Sequence, residues 1–223
     1  DQAPQPPRQS PPGGLPPLQE PPWHPLRILF VSAAPAGRPE FDASGQYEAL
    51  ARCHLASREN IELLPPRFGV SFDTLRTTLW GHQEKGTPPD LIHFAGHGTD
   101  AGLALEEADR AQELVLIEAI AGLLGELERD FGLWVSYLVI SACHAGPAVQ
   151  QHLGTGGHGR SRHGIAFQGQ LPDGAATKLA MALYARMFRP PGDRPASFSQ
   201  CAEDACRDVT GSYPKTEKMF VVF

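Results

Sequence analysis

From Leu26 to the end of the chain, apolar runs of strand length alternate with amphipathic stretches of helix length. This alternation constrains the fold more than any other feature, because a strand–helix–strand order favours parallel strands with helices packed on both faces. The strand-like runs are LRILFVSA (26–33), IELLP (61–65), DLIHF (90–94), YLVIS (137–141), HGIAFQ (163–168) and KMFVVF (218–223). Their unbroken apolar character suits strands covered on both sides. Helical patterns occupy 44–59, 71–85, 117–131, 174–188 and 198–209, with Ser44 and Ser71 read as N-caps of the first two. Residues 102–116, GLALEEADRAQELVL, read as a small hairpin. The pattern predicts an α/β sandwich around a mostly parallel, six-stranded sheet.

Residues 1–25 differ in kind, holding ten of the 22 prolines. Such a segment buries too little apolar surface to offset its ordering entropy and favours extended polyproline conformations. The reading is a proline-rich disordered linker or tail over 1–25 and one folded domain over 26–223. A chain that starts at Asp1 is expected to be the C-terminal module of something longer. The net charge of −6 argues against direct binding of nucleic acid or of an anionic membrane surface. The sequence carries neither a membrane-spanning apolar stretch nor a signal-peptide core. The four cysteines, Cys53, Cys143, Cys201 and Cys206, form no CxxC pair. They read as a reduced, cytoplasmic thiol set.

Two apolar runs stop in the same manner. DLIHFAGHG runs into His97 between two glycines, and YLVISACHAG runs into Cys143. If these strands are parallel neighbours, both side chains emerge at the carboxyl edge of the sheet, where α/β proteins gather their chemistry. An imidazole beside a thiol favours the thiolate, the nucleophilic form. Pro147 suits the first turn of a helix, which would put the positive end of that helix beside Cys143. Gly96 and Gly98 would permit close backbone approach, and the amides of Gly98 and Cys143 would converge on a developing oxyanion. Two other readings stand beside this one. Cys143 is a small buried hydrophobe, or His93, His97, Cys143 and His144 are zinc ligands, although no compact metal-ligand spacing is present.

HFAGHG followed by VISACHAG resembles the CHAT family of caspase-like cysteine peptidases. LRILFVSAAP followed by Glu48, the GLAL hairpin, GIAFQGQLPDGAATKLAMALYARMF and SFSQCAEDACRDV extend the resemblance over about residues 26–223. It implies a caspase-like α/β/α sandwich and hydrolysis of peptide bonds through an acyl-enzyme. It makes Cys143 the nucleophile and His97 the general base and acid, with the Gly98 and Cys143 amides as oxyanion hole. It implies no metal and no cofactor. The expected partners are a protein or peptide substrate and a sensor or activator domain, N-terminal or in trans, in bacterial defence or stress response. A catalytically silent caspase-like interaction module is the alternative.

Arginine-specific relatives carry an aspartate two residues before the cysteine, where this chain has Ser141. Ser141 and Asp173 are the candidate substrate-binding residues, although an N-cap for the helix beginning near Gly174 is the favoured reading of Asp173. His144 is read as structural or rim, on the premise that it extends the cysteine strand. The glycine-rich and basic stretch 152–164 borders the expected site, with Arg160 or Arg162 as a conceivable self-cleavage point. Cys53, Cys201, Cys206 and Trp80 are assigned to packing.

Overall fold

The computed structural model describes residues 25–37, 41–57, 60–107, 111–154, 162–170, 172, 174–188, 197–216 and 218–223. The proline-rich segment, apart from Pro25, lies outside the described residues. Among the described residues, eight strands form one sheet: β1 (Leu26–Ala33), β2 (Ile61–Leu63), β3 (Leu91–Gly98), β4 (Gly102–Glu106), β5 (Gln112–Leu116), β6 (Tyr137–Ser141), β7 (His163–Phe167) and β8 (Phe220–Val222). Six of them run side by side in the order β2-β1-β3-β6-β7-β8, and the β4–β5 hairpin branches from the end of β3. The first five are parallel and β8 is antiparallel to β7. The expected sheet is therefore the observed one.

Among the described residues, six helices cover the sheet: α1 (Ala43–Ala56), α2 (Phe72–Glu84), α3 (Ile117–Phe131), α4 (Gly146–Leu153), α5 (Ala175–Met187) and α6 (Phe198–Ser212). Alternation along each strand sends successive side chains to opposite faces. Leu29, Val31, Ile92, Phe94, Leu138 and Ile140 pack with residues of α2, α3 and α4. Ile28, Phe30, Leu91, Val139 and Ile165 pack with residues of α1, α5 and α6. Each fully buried Leu, Ile or Phe contributes roughly 1.5–3 kcal/mol relative to exposure, so two apolar faces explain why these strands lack a polar side.

Several boundaries differ from expectation, two of them near the site. Helix α1 begins at Ala43, and Asp42 rather than Ser44 is its N-cap, accepting a hydrogen bond from the Gly45 amide at 2.8 Å. Helix α2 is capped by Ser71 as expected, with the hydroxyl accepting from the Thr74 amide at 3.0 Å. Strand β3 does not stop at Phe94 but continues to Gly98. Gly96 permits this continuation, since a Cβ there would lie 2.7 Å from the Ala33 carbonyl oxygen across the β1–β3 ladder.

Candidate active site

The site is built by the parallel pairing of β3 and β6. Their register runs from Leu91↔Tyr137 to Ala95↔Ser141. Two residues beyond the last pair stand His97 and Cys143, at the carboxyl edge of neighbouring strands spaced ~4.8 Å apart. His93 and His97 lie on the same face of β3, where His93 contacts Gln46 of α1 and Tyr184 of α5. His97 follows that alternation. Its ring meets Phe41, just ahead of α1, edge to face with centroids 5.9 Å apart. The sheet order reverses between β1 and β3. The His97–Cys143 edge lies one strand along from that switch point.

Cys143 sits in a tight turn between β6 and α4. Ala142 and Ala145, on either side of the turn, are fully buried. The chain has only Cys143 and His144 in which to leave the sheet and enter the helix. Both are partly exposed, and Cys143 is a free thiol. Helix α4 starts at Gly146 with Pro147 in its first turn, as the sequence suggested.

Gly98 brings the histidine strand against this turn. A Cβ on Gly98 would lie 2.6 Å from the Cys143 carbonyl oxygen and 3.0 Å from the Ala142 Cβ. The glycine is therefore required by contact between the two arms of the site. Thr99 donates its amide to the Gly102 carbonyl at 2.9 Å and closes the β3–β4 turn. In an antiparallel ladder hydrogen-bonded and non-hydrogen-bonded pairs alternate, so the next pair, Gly98↔Leu103, is of the second type. The Gly98 amide is thereby turned away from β4. Among the described residues the Cys143 amide has no backbone acceptor.

Below the edge lies a sealed polar cluster. His93 is completely buried; its Nδ1 is 2.7 Å from the Tyr184 hydroxyl and its Nε2 is 2.9 Å from Gln46 Oε1. Ser141 Oγ is 3.4 Å from the same Nε2. Desolvation pushes the His93 pKa down to about 3, so the ring is neutral. Ser141 was expected to border the substrate. It is 1% exposed, with its hydroxyl turned into this cluster, so it underlies the edge rather than lining it. His93 was also one of four conceivable zinc ligands. Both of its ring nitrogens are engaged by Tyr184 and Gln46, which removes it from any such set. Gln46 and Tyr184 were not anticipated.

The remaining candidates are placed as follows. Asp173 lies outside the described residues; the N-cap of α5 is Gly174, in a left-handed conformation, with no side-chain cap. His144 does not extend the cysteine strand, because β6 ends at Ser141 and His144 has φ 61°. It is half-exposed on the rim, its Nδ1 3.9 Å from Asp100 Oδ1. Glu48 is exposed and pairs with Arg52 at 3.3 Å. Arg160 lies outside the described residues. Arg162 is buried against Glu128 at 3.5 Å and stacked 4.6 Å from the Trp134 ring centre, a poor position for cleavage. Trp80 is not a core residue. It is partly exposed, with the Arg76 guanidinium 5.3 Å from its ring centre and Phe131 6.4 Å away. Cys201 is buried, whereas Cys53 and Cys206 pack partly buried against the same core. Burial raises the Cys53 thiol pKa and pushes that of Cys206 up to about 12, so neither is poised as a thiolate.

The fold is that of the caspases. The crystal structure of the Drosophila initiator caspase Dronc is similar with a TM-score of 0.55 at 10% sequence identity, over 88% of this chain and 78% of that one. The sequence matches the CHAT domain over residues 29–207, and the chain belongs to the CHAT family. No curated protein matches it. Among the described residues, no helix is long and apolar enough to cross a membrane.

Proposed function

We propose that this chain is a cysteine endopeptidase acting through Cys143 and His97. The observation that carries the reading is the β3–β6 register, which ends two residues short of both side chains. Cys143 Sγ attacks the scissile carbonyl carbon after its proton passes to His97. The amides of Gly98 and Cys143 stabilise the oxyanion, a contribution of ~3 kcal/mol per donor. His97 then gives its proton to the leaving amine, leaving a thioester acyl-enzyme. A water molecule deprotonated by His97 hydrolyses the thioester and restores the free thiol. The chemistry requires neither metal nor cofactor. Asp173 remains a candidate substrate contact, with Ser141 supporting from beneath.

The substrate is a protein or peptide. Membership of the CHAT family favours a regulated effector that answers to a sensor domain, N-terminal or in trans, within bacterial defence or stress response in the cytoplasm. A peptide-library cleavage profile of the wild type beside Cys143→Ala tests the proposal. Cleavage in the wild type should fall by about three orders of magnitude or more in the variant. Cleavage that persists in Cys143→Ala contradicts it.

A further inference from the structure

His144 is the only non-glycine residue among the described ones with a positive φ, at 61°. A side chain in that region is costly unless something holds it, and glycine is the usual occupant. Here the backbone has little choice. Ala142 is buried against the Gly98 arm, while a Cβ on Gly146 would lie 3.0 Å from Phe167 and Val221 atoms. With both ends pinned, the reversal falls on the residue after the nucleophile. Its own amide donates to the Gly169 carbonyl at 3.3 Å, in the segment following β7. Its Nδ1 faces Asp100 Oδ1 at 3.9 Å, in the turn following His97. A single residue thus touches the segments that follow three adjacent strands at the candidate active edge.

We propose that His144 is a positioning residue: its left-handed backbone sets the orientation of Cys143, and its imidazole clasps Asp100, coupling the cysteine turn to the histidine arm. The sequence has a histidine and not a glycine at this position because the side chain is used. The inference rests on the peptidase reading only in assigning Cys143 as nucleophile.

The test is the rate of Cys143 alkylation by iodoacetamide in the full 223-residue chain, read by mass spectrometry, with melting temperature recorded for each variant. His144→Val, β-branched and ill-suited to positive φ, should slow alkylation about tenfold or more. His144→Asn and His144→Gly, which tolerate that conformation, should recover to within about threefold of wild type. Asp100→Asn should slow the wild type by about twofold to threefold and have no effect in the His144→Asn background, as coupled residues require. The proposal is overturned if His144→Val is alkylated at the wild-type rate. It is overturned equally if Asp100→Asn acts alike in both backgrounds, or if the rates merely follow melting temperature. His97→Ala in the same assay separates the two claims. A rate independent of His97 sinks the dyad, whereas a His97-dependent rate with indifferent His144 variants sinks only the clasp.

Discussion

The Tyr184 hydroxyl lies 2.7 Å from Nδ1 of His93, joining α5 to β3 through an imidazole sealed from solvent. On the far side of the ring, Gln46 Oε1 accepts from Nε2–H at 2.9 Å. That assigns the proton to Nε2 and makes Nδ1 the acceptor of the tyrosine hydroxyl. One neutral ring therefore ties two helices to the strand that carries His97. Tyr184→Phe would leave Nδ1 buried without a donor and should destabilise the fold by about 1–3 kcal/mol in urea unfolding.

The same ring sets a pH dependence. Its folded-state pKa, about 3, lies below the ordinary value of 6.5. As pH falls below 6.5 the unfolded chain takes up a proton that the folded chain refuses. Stability from His93 is thus complete above pH 6.5 and is lost progressively toward pH 3, on the order of 5 kcal/mol in all. Unfolding free energies of wild type and His93→Gln, compared between pH 7 and 4, should show a flatter slope for the variant.

Gly98→Ala should injure the site more than the fold. The new methyl would meet the Cys143 carbonyl oxygen at 2.6 Å, a backbone atom that moves only with the whole turn. Overpacking of this kind costs about 1–3 kcal/mol. Peptide cleavage should fall by tenfold or more as the two arms separate.

The Glu128–Arg162 pair is buried, with side chains 6% and 3% exposed, and among the described residues Arg162 Nε and Glu128 Oε2 have no hydrogen-bond partner. Burial lowers the Arg162 pKa, opposed by the charge of Glu128. Glu128→Ala leaves a cation buried without its counter-ion and should cost about 3–5 kcal/mol. The double variant Glu128→Leu, Arg162→Met should recover most of that loss in the same unfolding assay, since both charges leave together.

Much of this fold was legible where one periodicity ruled a segment. Strand β1, helix α3 and strand β6 fall where the apolar pattern put them, because their buried positions recur without interruption. Strand β3 was cut short, because AGHG has the composition of a turn. The strand continues because Gly96 and Gly98 are demanded by neighbouring backbone. The start of α1 was misplaced because Asp42 and Ser44 are both good caps and the tie is broken only by geometry. His97 and Cys143 could be singled out from local sequence, since each ends an apolar run. Gln46 and Tyr184 could not, being 47 and 91 residues from the histidine they hold. An aromatic side chain in an amphipathic helix usually belongs to the core, whereas Trp80 packs beside Arg76 and Phe131 at the surface. Arg162, in a glycine-rich basic stretch, gave no sign that a glutamate from α3 would bury it.

The central claim is that His97 activates Cys143. A peptidyl thiol-reactive probe, followed by peptide mapping, addresses it directly. The account expects a single adduct on Cys143, with Cys53, Cys201 and Cys206 unmodified, and loss of that adduct in His97→Ala. Equal labelling of Cys143 in His97→Ala, or an adduct on a different cysteine, would contradict it.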